Sequence, residues 1–389
     1  MNLRFFSVAV LGFLALTGIC SDLLAQLVQP GTQANGSETN NIIIAVPFLL
    51  ITPDARAGAM GEAGVAVLPD GNTMSINPSK VAFLDQPYGF SVSYSPWLRH
   101  VVSGINLAYL SGYYKVGDKN TIGASLRYFS VNQVQLFDLN KQDLGIYSPN
   151  EFAVDGTFAR KFGDNFSLGT AVRYIRSNLY SDLFASGQNT KPAHAIAADV
   201  SAYFKKSTVF LGKDAILALG IYISNIGTKM SYEDTGPKYF LPTNLKIGGA
   251  STFILNDLNQ FTIALDLNKL LVPTQPIYGT NGEILKGRDP DKSVPAGIFG
   301  SFNDAPGGFK EEVQEVSIAT GLEYMYDKKF ALRSGYFYES PKKGNRRYFT
   351  VGTGFKYQEF NIDLAYLIAG VQNSPLANTL RFSLLFNFL

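Results

Sequence analysis

The feature that most constrains this chain is an alternation of apolar with small or polar residues, repeated in many short segments from Tyr88 onwards. In the last segment, residues 380–388, every even position is apolar, while Arg381, Ser383 and Asn387 occupy odd positions. A period of two residues places successive side chains on opposite faces of a strand, and its repetition between turn signals is typical of membrane β-barrels. We therefore predict an all-β fold, a transmembrane antiparallel β-barrel, over residues 87–389.

The composition supports a membrane barrel and excludes one class of partner. Charged residues make up 16% of the chain, against about 25% in an ordinary soluble domain, which leaves room for a broad apolar surface. The net charge is only +2, so no basic surface for nucleic acid is expected.

Residues 1–25 have the pattern of a secretory signal peptide. Arg4 precedes an apolar stretch, residues 5–19, that is shorter than a membrane-spanning helix. We expect cleavage after Ala25, which would leave no cysteine and no disulfide in the exported chain. Lipid attachment at Cys20 is the alternative, although Ile19 stands where a small residue is needed. Export combined with a barrel predicts the outer membrane of a Gram-negative bacterium.

Turn signals divide the predicted barrel into about 14 strands, an even number as expected for bacterial barrels. Connections after even-numbered strands are short, as at residues 117–120, whereas most of those after odd-numbered strands are long, as at residues 268–315. Short periplasmic turns and long outer loops are the expected asymmetry. The predicted strands are centred on Phe90, Leu107, Ala124, Val154, Leu168, Ala198, Leu219, Ile247, Ile263, Thr320, Leu332, Val351, Leu364 and Leu384.

The alternation also assigns charged side chains to the inside of the barrel. Both signs occur in similar number, so we interpret them as ion pairs that fill the lumen, with a substrate-conducting role as the alternative. A register shift of one residue would reverse any single assignment. The predicted lumen charge network comprises Arg127, Arg173, Arg333, Arg381, Asp155, Asp199, Asp266, Glu323 and Asp363.

Residues 26–86 are more than a simple barrel needs ahead of its first strand. The stretch 53–64 is rich in small residues, which let the backbone approach other elements closely. We interpret this segment as a hatch folded into the lumen; the alternative is an extension packed under the barrel on the periplasmic side. The residues that we single out in the hatch are Arg56, Asn77, Pro78 and Ser79.

Two stretches of this segment form a recognisable motif. They read Pro-Asp-Ala-Arg-Ala-Gly-Ala-Met-Gly-Glu-Ala-Gly-Val-Ala at residues 53–66 and Asn-Pro-Ser-Lys-Val-Ala-Phe at residues 77–83. Together they resemble the start of the PorV family of type IX secretion proteins, within the wider family of FadL-like barrels. The resemblance continues through residues 88–98 and implies a FadL-like barrel with an N-terminal hatch.

The resemblance also implies a role in protein secretion. Proteins of this family bind cargo bearing a C-terminal sorting domain as it leaves a large, SprA-like translocon barrel. They deliver that cargo to a sortase-like, PorU-like peptidase in the attachment complex at the cell surface. Outer-membrane lipid and lipopolysaccharide are the other implied partners. The alternative function is a FadL-like importer of hydrophobic small molecules.

The residues give little support for catalysis. His100 and His194 are the only histidines, and a Ser-His-acid hydrolase needs a histidine held between a carboxylate and a serine. His194 shares the parity of residues that face lipid, and no spacing of Cys or His is typical of a metal site. We therefore expect no enzyme activity, catalytic residue, metal or cofactor.

The predicted outer loops contain aromatic and apolar residues where purely polar ones would suffice. Exposed aromatic clusters commonly mark binding surfaces, so these residues are candidates for binding cargo or partners. The alternative is that they cap the barrel mouth or belong to its aromatic girdle. The candidates are Trp97, Leu98, Phe137, Tyr147, Tyr180, Phe184, Tyr239, Phe240, Phe299 and Phe302.

Overall fold

The computed structural model describes residues 40–97, 104–137, 142–179, 191–233, 236–279, 281–369 and 379–388. The predicted signal peptide and the residues Leu98, His100, Tyr180 and Phe184 lie outside these ranges. Within them, no helix is both long enough and apolar enough to cross a bilayer.

Among the described residues, fourteen strands close into one antiparallel barrel, as the alternation predicts. The first strand pairs with the last, Tyr88 opposite Phe388, so closure leaves no sheet edge open. Every predicted strand centre lies inside one of these strands. All strands except the hairpins β4–β5 and β12–β13 belong to the barrel. In chain order the strands are β1 (Tyr88–Trp97), β2 (Ile105–Val116), β3 (Asn120–Ser130), β4 (Val134–Phe137), β5 (Asp143–Tyr147), β6 (Asn150–Lys161), β7 (Phe166–Asn178), β8 (Ala193–Phe210), β9 (Lys213–Gly227), β10 (Asn244–Ile254), β11 (Asn259–Leu270), β12 (Ile277–Tyr278), β13 (Ile284–Lys286), β14 (Val316–Tyr326), β15 (Phe330–Tyr338), β16 (Arg347–Tyr357), β17 (Phe360–Ala369) and β18 (Leu380–Phe388).

The wall of the barrel has an apolar outer face and a polar inner face. Ile122, Leu126 and Val172 point outwards and are 39–60% exposed. Arg127, the neighbour of Leu126, points inwards and is 6% exposed. Successive side chains of a strand lie on opposite faces, so this two-residue period separates a bilayer-facing surface from the lumen.

Residues 40–86 precede β1 and pack inside the barrel; we refer to them as the hatch. The hatch contains one short α-helix, α1 (Ala55–Ala59), and three 3-10 helices, Pro47–Leu50, Thr73–Ser75 and Pro78–Phe83. The carboxylate of Asp54 accepts a hydrogen bond from Ala57 N at 2.8 Å and so caps α1. Several fully buried apolar side chains of the hatch form one cluster with residues of the wall. From the hatch these are Met60, Ala63, Val65 and Ala66, and from the wall Ala264, Ala319, Phe337 and Leu367.

Glycines of the wall allow the hatch backbone to approach the strands closely. A Cβ on Gly335 of β15 would lie 2.1 Å from Gly61 N, and one on Gly220 of β9 would lie 2.2 Å from Val65 O. Both distances are far below van der Waals contact, so no other residue fits at these points unless the hatch moves. These two contacts lie on separate strands, which shows that the hatch touches the wall on more than one side.

The two ends of the barrel differ in the way that the lengths of the connections predict. At one end the strands are joined by tight turns, in which Gly117 and Gly163 adopt φ angles of 68° and 83°, a region that glycine enters without strain. At the other end the connections are long. Two of them carry the hairpins β4–β5 and β12–β13, and the longest also carries α2 (Val294–Gly300) and α3 (Phe309–Gln314).

Candidate functional site

One ion network joins the hatch to the wall. Glu323 on β14 lies between two arginines: its Oε1 accepts from Arg56 Nη2 at 2.8 Å, and its Oε2 accepts from Arg333 Nε at 2.6 Å. Arg333 Nη1 also donates to Asp363 Oδ1 at 2.5 Å. The two carboxylates and Arg333 are at most 6% exposed. Charge-assisted bonds of this kind are the strong class of hydrogen bond, so the network ties α1 to β14, β15 and β17.

A second ion network lies on strands β6 to β9. Arg173 on β7 donates from Nη2 to Asp199 Oδ2 at 3.0 Å and from Nε to Asp155. Asp199 also accepts from Tyr222 OH at 2.6 Å and from Asn225 N at 2.8 Å. Both signs of charge are paired within the network, whereas the constriction of an ion-selective pore presents one dominant sign.

Two further charges of the predicted lumen network bind the backbone of the hatch. Asp266 Oδ2 on β11 accepts from Gly64 N at 2.7 Å and from Val65 N at 2.9 Å. Arg127 Nη1 on β3 donates to Leu49 O at 2.6 Å. A buried backbone N–H or C=O needs a partner, so these wall side chains satisfy groups that the irregular hatch chain cannot pair internally.

The Asn-Pro-Ser element of the hatch binds the wall through its backbone. Asn77 Oδ1 accepts from Ser79 Oγ at 2.5 Å and from Ser79 N at 3.2 Å, while Pro78 begins the 3-10 helix. Ser79 N donates to Ser201 Oγ at 2.9 Å, and Ser167 Oγ donates to Ser79 O at 2.8 Å. The element therefore places a rigid turn against β7 and β8.

Glu62 and Thr350 also hold the hatch, and sequence reasoning missed both, whereas Arg381, the partner of Glu62, belongs to the predicted lumen charge network. Arg381 Nη2 pairs with Glu62 Oε1 at 3.1 Å. Thr350 Oγ1 on β16 accepts from Gly61 N at 2.9 Å and donates to Ala59 O at 2.8 Å. Thr350 occupies an inward-facing position of its strand, and this parity was the sequence signal that could have identified it. A single uncharged threonine at such a position does not stand out from other lumen residues.

The aromatic candidates of the outer loops differ in exposure. Phe299 in α2 and Phe302 just after it are 79% and 51% exposed. Tyr147 and Tyr239 are half-buried. Trp97 ends β1 and Phe137 ends β4. Of the described candidates, Phe299 and Phe302 therefore present the clearest apolar surface to the outside.

Phe240 does not have the exposure that we expected. It is 7% exposed, and its carbonyl accepts from Ala45 N at 2.8 Å, which joins the outer loop to the start of the hatch. Lys229 Nζ lies 4.5 Å from the centre of the ring, a cation–π distance. An aromatic residue in a predicted loop can thus be buried by a segment distant in sequence, which a local pattern does not reveal.

Buried ion pairs hold the longest outer loop to the barrel. Lys269 Nζ at the end of β11 donates to Glu312 Oε2 at 2.9 Å and to Glu315 Oε2 at 2.6 Å. Lys343 Nζ donates to Glu315 Oε1 at 3.0 Å. These contacts fix α3 over the mouth of the barrel, so the loop is anchored at its base while its aromatic side chains remain exposed.

Asp304 in this loop predicts a pH dependence of the loop's stability. Its side chain is 2% exposed, and burial, with Glu312 and Glu315 nearby, raises its pKa to about 6. A raised carboxyl pKa means that the neutral form is favoured in the folded loop. Stability is therefore lost as the pH rises from about 4 to about 6 and stays constant above that range.

We expect Asp304→Asn to slow amide hydrogen exchange of residues 294–315 at pH 7.5, after correction for intrinsic rates, and to leave it unchanged at pH 4. Asp164→Asn, an exposed acid in a turn at the other end of the barrel, is the matched control. Equal protection of the wild-type and Asp304→Asn loops at pH 7.5 would contradict the assignment.

The described residues do not assemble a catalytic centre around His194. Its side chain is exposed on the outer face of β8, where its Nδ1 lies 2.6 Å from Tyr174 OH. No group of three or more His, Cys, Asp or Glu side chains within the described ranges has the arrangement of a metal site. The outward position of His194 agrees with the parity argument.

Comparisons with known proteins identify the family. The family model described as type IX secretion system protein PorV matches residues 34–277. Among solved structures, the chain is similar to the P. putida toluene transporter TodX, with a TM-score of 0.51 and 12% identity over 86% of this chain and 98% of that one. It is also similar to a Pseudomonas aeruginosa FadL homologue, with a TM-score of 0.47 and 12% identity over 90% and 100% of the two chains.

The similarity to TodX shows a shared barrel fold and nothing about transport. A comparison with curated protein sequences finds no significant match. The family model, in contrast, covers more than half of the chain, including the whole hatch and the first nine barrel strands. The chain therefore belongs to the PorV family of type IX secretion system proteins.

Proposed function

We propose that this protein is an outer-membrane carrier of type IX secretion, which holds cargo through its outer loops and delivers it to the attachment complex. Membership of the PorV family, carried by the match over residues 34–277, is the observation on which the proposal rests. The cargo would carry a C-terminal sorting domain. It would be received from a SprA-like translocon barrel and passed to a PorU-like peptidase.

The hatch supports a carrier more than a channel. Its backbone and side chains bind wall residues on many strands, including Ser383 Oγ, which accepts from Ala55 N at 2.9 Å, and Ser91 Oγ, which donates to Asn72 Oδ1 at 2.5 Å. Moving the hatch would break several such buried bonds at once, each worth about 0.5–1.5 kcal/mol. A protein that works through its outer surface can function without moving the hatch, so these bonds stay intact.

The outer surface supplies the kind of contact that protein partners use. Phe299 and Phe309 are 79% and 84% exposed, and Phe302 and Val313 nearby are 51% and 55% exposed. Aromatic side chains on an anchored loop are common centres of binding energy in protein interfaces. The ion pairs of Lys269 hold α3, which carries Phe309 and Val313, so this part of the apolar surface is presented without a large cost of ordering.

The proposed role requires no chemistry from this chain. Its contribution is binding and positioning, while the sortase-like peptidase removes the sorting domain and attaches the cargo. Outer-membrane lipid surrounds the barrel, and lipopolysaccharide is the acceptor at the surface. We assign no catalytic residue, metal or cofactor to the chain in this scheme.

Affinity purification from the native outer membrane in mild detergent, followed by mass spectrometry, tests the proposal. We expect a very large barrel protein, a sortase-like peptidase and proteins with C-terminal sorting domains to co-purify. Recovery of the chain alone, with hydrophobic small molecules bound, would instead support the importer.

The same experiment tests the aromatic surface. We expect the double variant Phe299→Ser, Phe309→Ser to recover at least five-fold less cargo, because two exposed aromatic anchors are lost while the buried ion pairs of the loop remain. Leu211→Ser is the matched control, since Leu211 is 80% exposed in a turn at the opposite end of the barrel. Undiminished cargo recovery by the double variant would remove α2 and α3 from the binding surface.

A further inference from the structure

A cavity lies inside the outer end of the barrel, above the hatch; we refer to it as the outer lumen cavity. Its volume is about 80 Å³, and its walls come from the hatch, from the outer ends of β10, β11 and β14, and from the segment after β15. A water molecule needs about 10–15 Å³ on this measure, so the cavity holds about six waters or one small organic group. The proposed function gives it no role.

Three polar side chains form a row along one wall of the cavity. Lys246 on β10 lies opposite Asn268 on β11, and Asn268 lies opposite Ser317 on β14. Directly opposed residues of antiparallel strands have their Cβ atoms about 4.5–5.5 Å apart. All three line the cavity, so an ammonium, an amide and a hydroxyl group lie side by side there.

The row is not satisfied by the protein. Asn268 is 8% exposed, and its Oδ1 has no hydrogen-bond partner. Within the described ranges, no hydrogen bond or ion pair engages the side chains of Lys246 and Ser317 either. Buried polar groups are normally paired, and an unpaired acceptor, Asn268 Oδ1, beside an ammonium and a hydroxyl group that face the same open space is the arrangement expected of a binding site.

The other charged groups around the cavity are already paired. Arg346 makes two bonds to Glu339, at 2.8 and 2.9 Å, and Lys343 bonds to Glu315 at 3.0 Å. Glu62 on the hatch bonds to Arg381. Glu62 attracts Lys246 electrostatically, but no carboxylate within the described ranges forms an ion pair with Lys246, so the cavity suits a group with a single negative charge.

Asn244 on β10 adds a further amide to the lining, and the rest of the lining is apolar. Ile42 and Leu50 come from the hatch, and Leu270 and Phe337 come from β11 and β15. A cation without a bonded partner, three neutral hydrogen-bonding groups and a small apolar wall together fit a carboxylate with a short aliphatic side chain. A phosphate would leave the apolar wall without a partner, and a long acyl chain would not fit the volume.

We propose that the outer lumen cavity binds the terminal carboxylate of a polypeptide together with the side chain of its last residue. Lys246 pairs with the carboxylate, Ser317 donates to it, and the amide of Asn268 bonds the last peptide group. Leu270 and Phe337 contact the side chain. The choice of a polypeptide as the source of the carboxylate rests on the proposed function, in which secreted proteins arrive from the outer side. The inference that the cavity binds a carboxylate does not depend on the proposed function.

The proposal is tested by measuring the affinity of three small probes for the full chain in detergent micelles. Isothermal titration calorimetry and ligand-observed NMR measure this affinity. The probes are N-acetyl-leucine, its uncharged amide, and 4-methylpentanoate, which has the carboxylate and side chain but no peptide group. We expect N-acetyl-leucine to bind at least ten-fold more tightly than either of the other two. Equal binding of the acid and its amide, or no binding of either, would overturn the carboxylate site.

Variants assign the binding to the row. We expect Lys246→Gln to weaken binding of N-acetyl-leucine at least ten-fold and Lys206→Gln, an exposed lysine at the far end of β8, to leave it unchanged. If 4-methylpentanoate binds as tightly as N-acetyl-leucine, the site is one for small free acids, and the polypeptide source is wrong. The comparison of probes on the wild-type chain remains decisive even if the Lys246 variant folds poorly.

The outcome is separable from that of the proposed function. If the carrier role is right and the cavity is not used, Lys246→Gln recovers the same cargo as the wild type and N-acetyl-leucine does not bind. If the carrier role is wrong, no secretion partners co-purify, although N-acetyl-leucine still binds to the isolated chain.

Discussion

Replacing Glu323 with glutamine is expected to lower the free energy of unfolding by about 3–5 kcal/mol, the usual cost of removing one partner from a buried ion pair. Glu323 is 3% exposed and accepts from both Arg56 and Arg333. After the substitution Arg333 keeps only Asp363 as a carboxylate partner among the described residues, Arg56 keeps only Asp70 at 3.2 Å, and no carboxylate remains between the two guanidinium groups. The positive charges then repel each other in a region of low dielectric constant.

Urea unfolding of the full chain in lipid vesicles measures this effect, with the mobility of the folded barrel in cold SDS gels as a second readout. Asp118→Asn is the matched control, because Asp118 is exposed in a turn, and its change is expected to stay within about 0.5 kcal/mol. If Glu323→Gln is as stable as the control variant, the network contributes little to holding the hatch, and Arg56 must be placed by packing alone.

Replacing Gly335 with alanine is expected to displace the hatch. The new Cβ would lie 2.1 Å from both Gly61 N and Met60 C, and the contacting atoms are backbone, so no side chain can rotate out of the way. Overpacking of this kind typically costs about 1–3 kcal/mol and occasionally more. We expect a cost at the upper end of this range, because displacing Gly61 would also break its hydrogen bond to Thr350, which is 2.9 Å long.

Trypsin cleavage of the folded chain followed by mass spectrometry detects the displacement. In the wild type Lys80 is 3% exposed and its Nζ bonds to Gly64 O at 2.8 Å, so cleavage after Lys80 should be negligible. Gly335→Ala should make that site cleavable, whereas Gly156→Ala should not, since nothing lies within 4 Å of a Cβ at Gly156. Protection of Lys80 in both variants would show that the hatch accommodates the extra atom without moving.

Two variants of the wall thus probe different kinds of hatch contact. Glu323→Gln removes a charge that attracts the hatch, and Gly335→Ala adds an atom that excludes it. A carrier whose work is done by its outer loops should keep the hatch in place, so we expect both variants to reduce stability before they alter cargo recovery. A large gain in uptake of hydrophobic solutes by Gly335→Ala would favour the importer.

Much of the fold could be predicted from local sequence. The contrast between Leu126, which faces the bilayer, and Arg127, which faces the lumen, follows from the geometry of a strand alone. Short turns such as Gly163 to Asn165 marked one end of the barrel, and the long stretches marked the other. The period of two and the turn residues are local properties, and a closed barrel is the form in which such strands can leave no edge unpaired in lipid.

The candidate sites could be predicted only in part. The alternation predicted that Arg333 and Asp363 face the lumen. It did not predict the bond of Glu323 to Arg56, which is 267 residues away in the chain, because no strand pattern specifies which hatch residues enter the lumen. Phe240 was expected at the surface, but it is 7% exposed and its carbonyl bonds to the start of the hatch.

What the sequence by itself determined is the class of fold, the strand number and the face to which each strand residue points, since these depend on spacing along the chain. The tertiary structure alone decided which charges pair, which glycines admit the hatch, and that Lys246, Asn268 and Ser317 meet in one row. Those three residues lie on separate strands, and only the register between strands brings them together. The register between strands is set by the closure of the whole barrel around its hatch, so it cannot be predicted from a local sequence pattern.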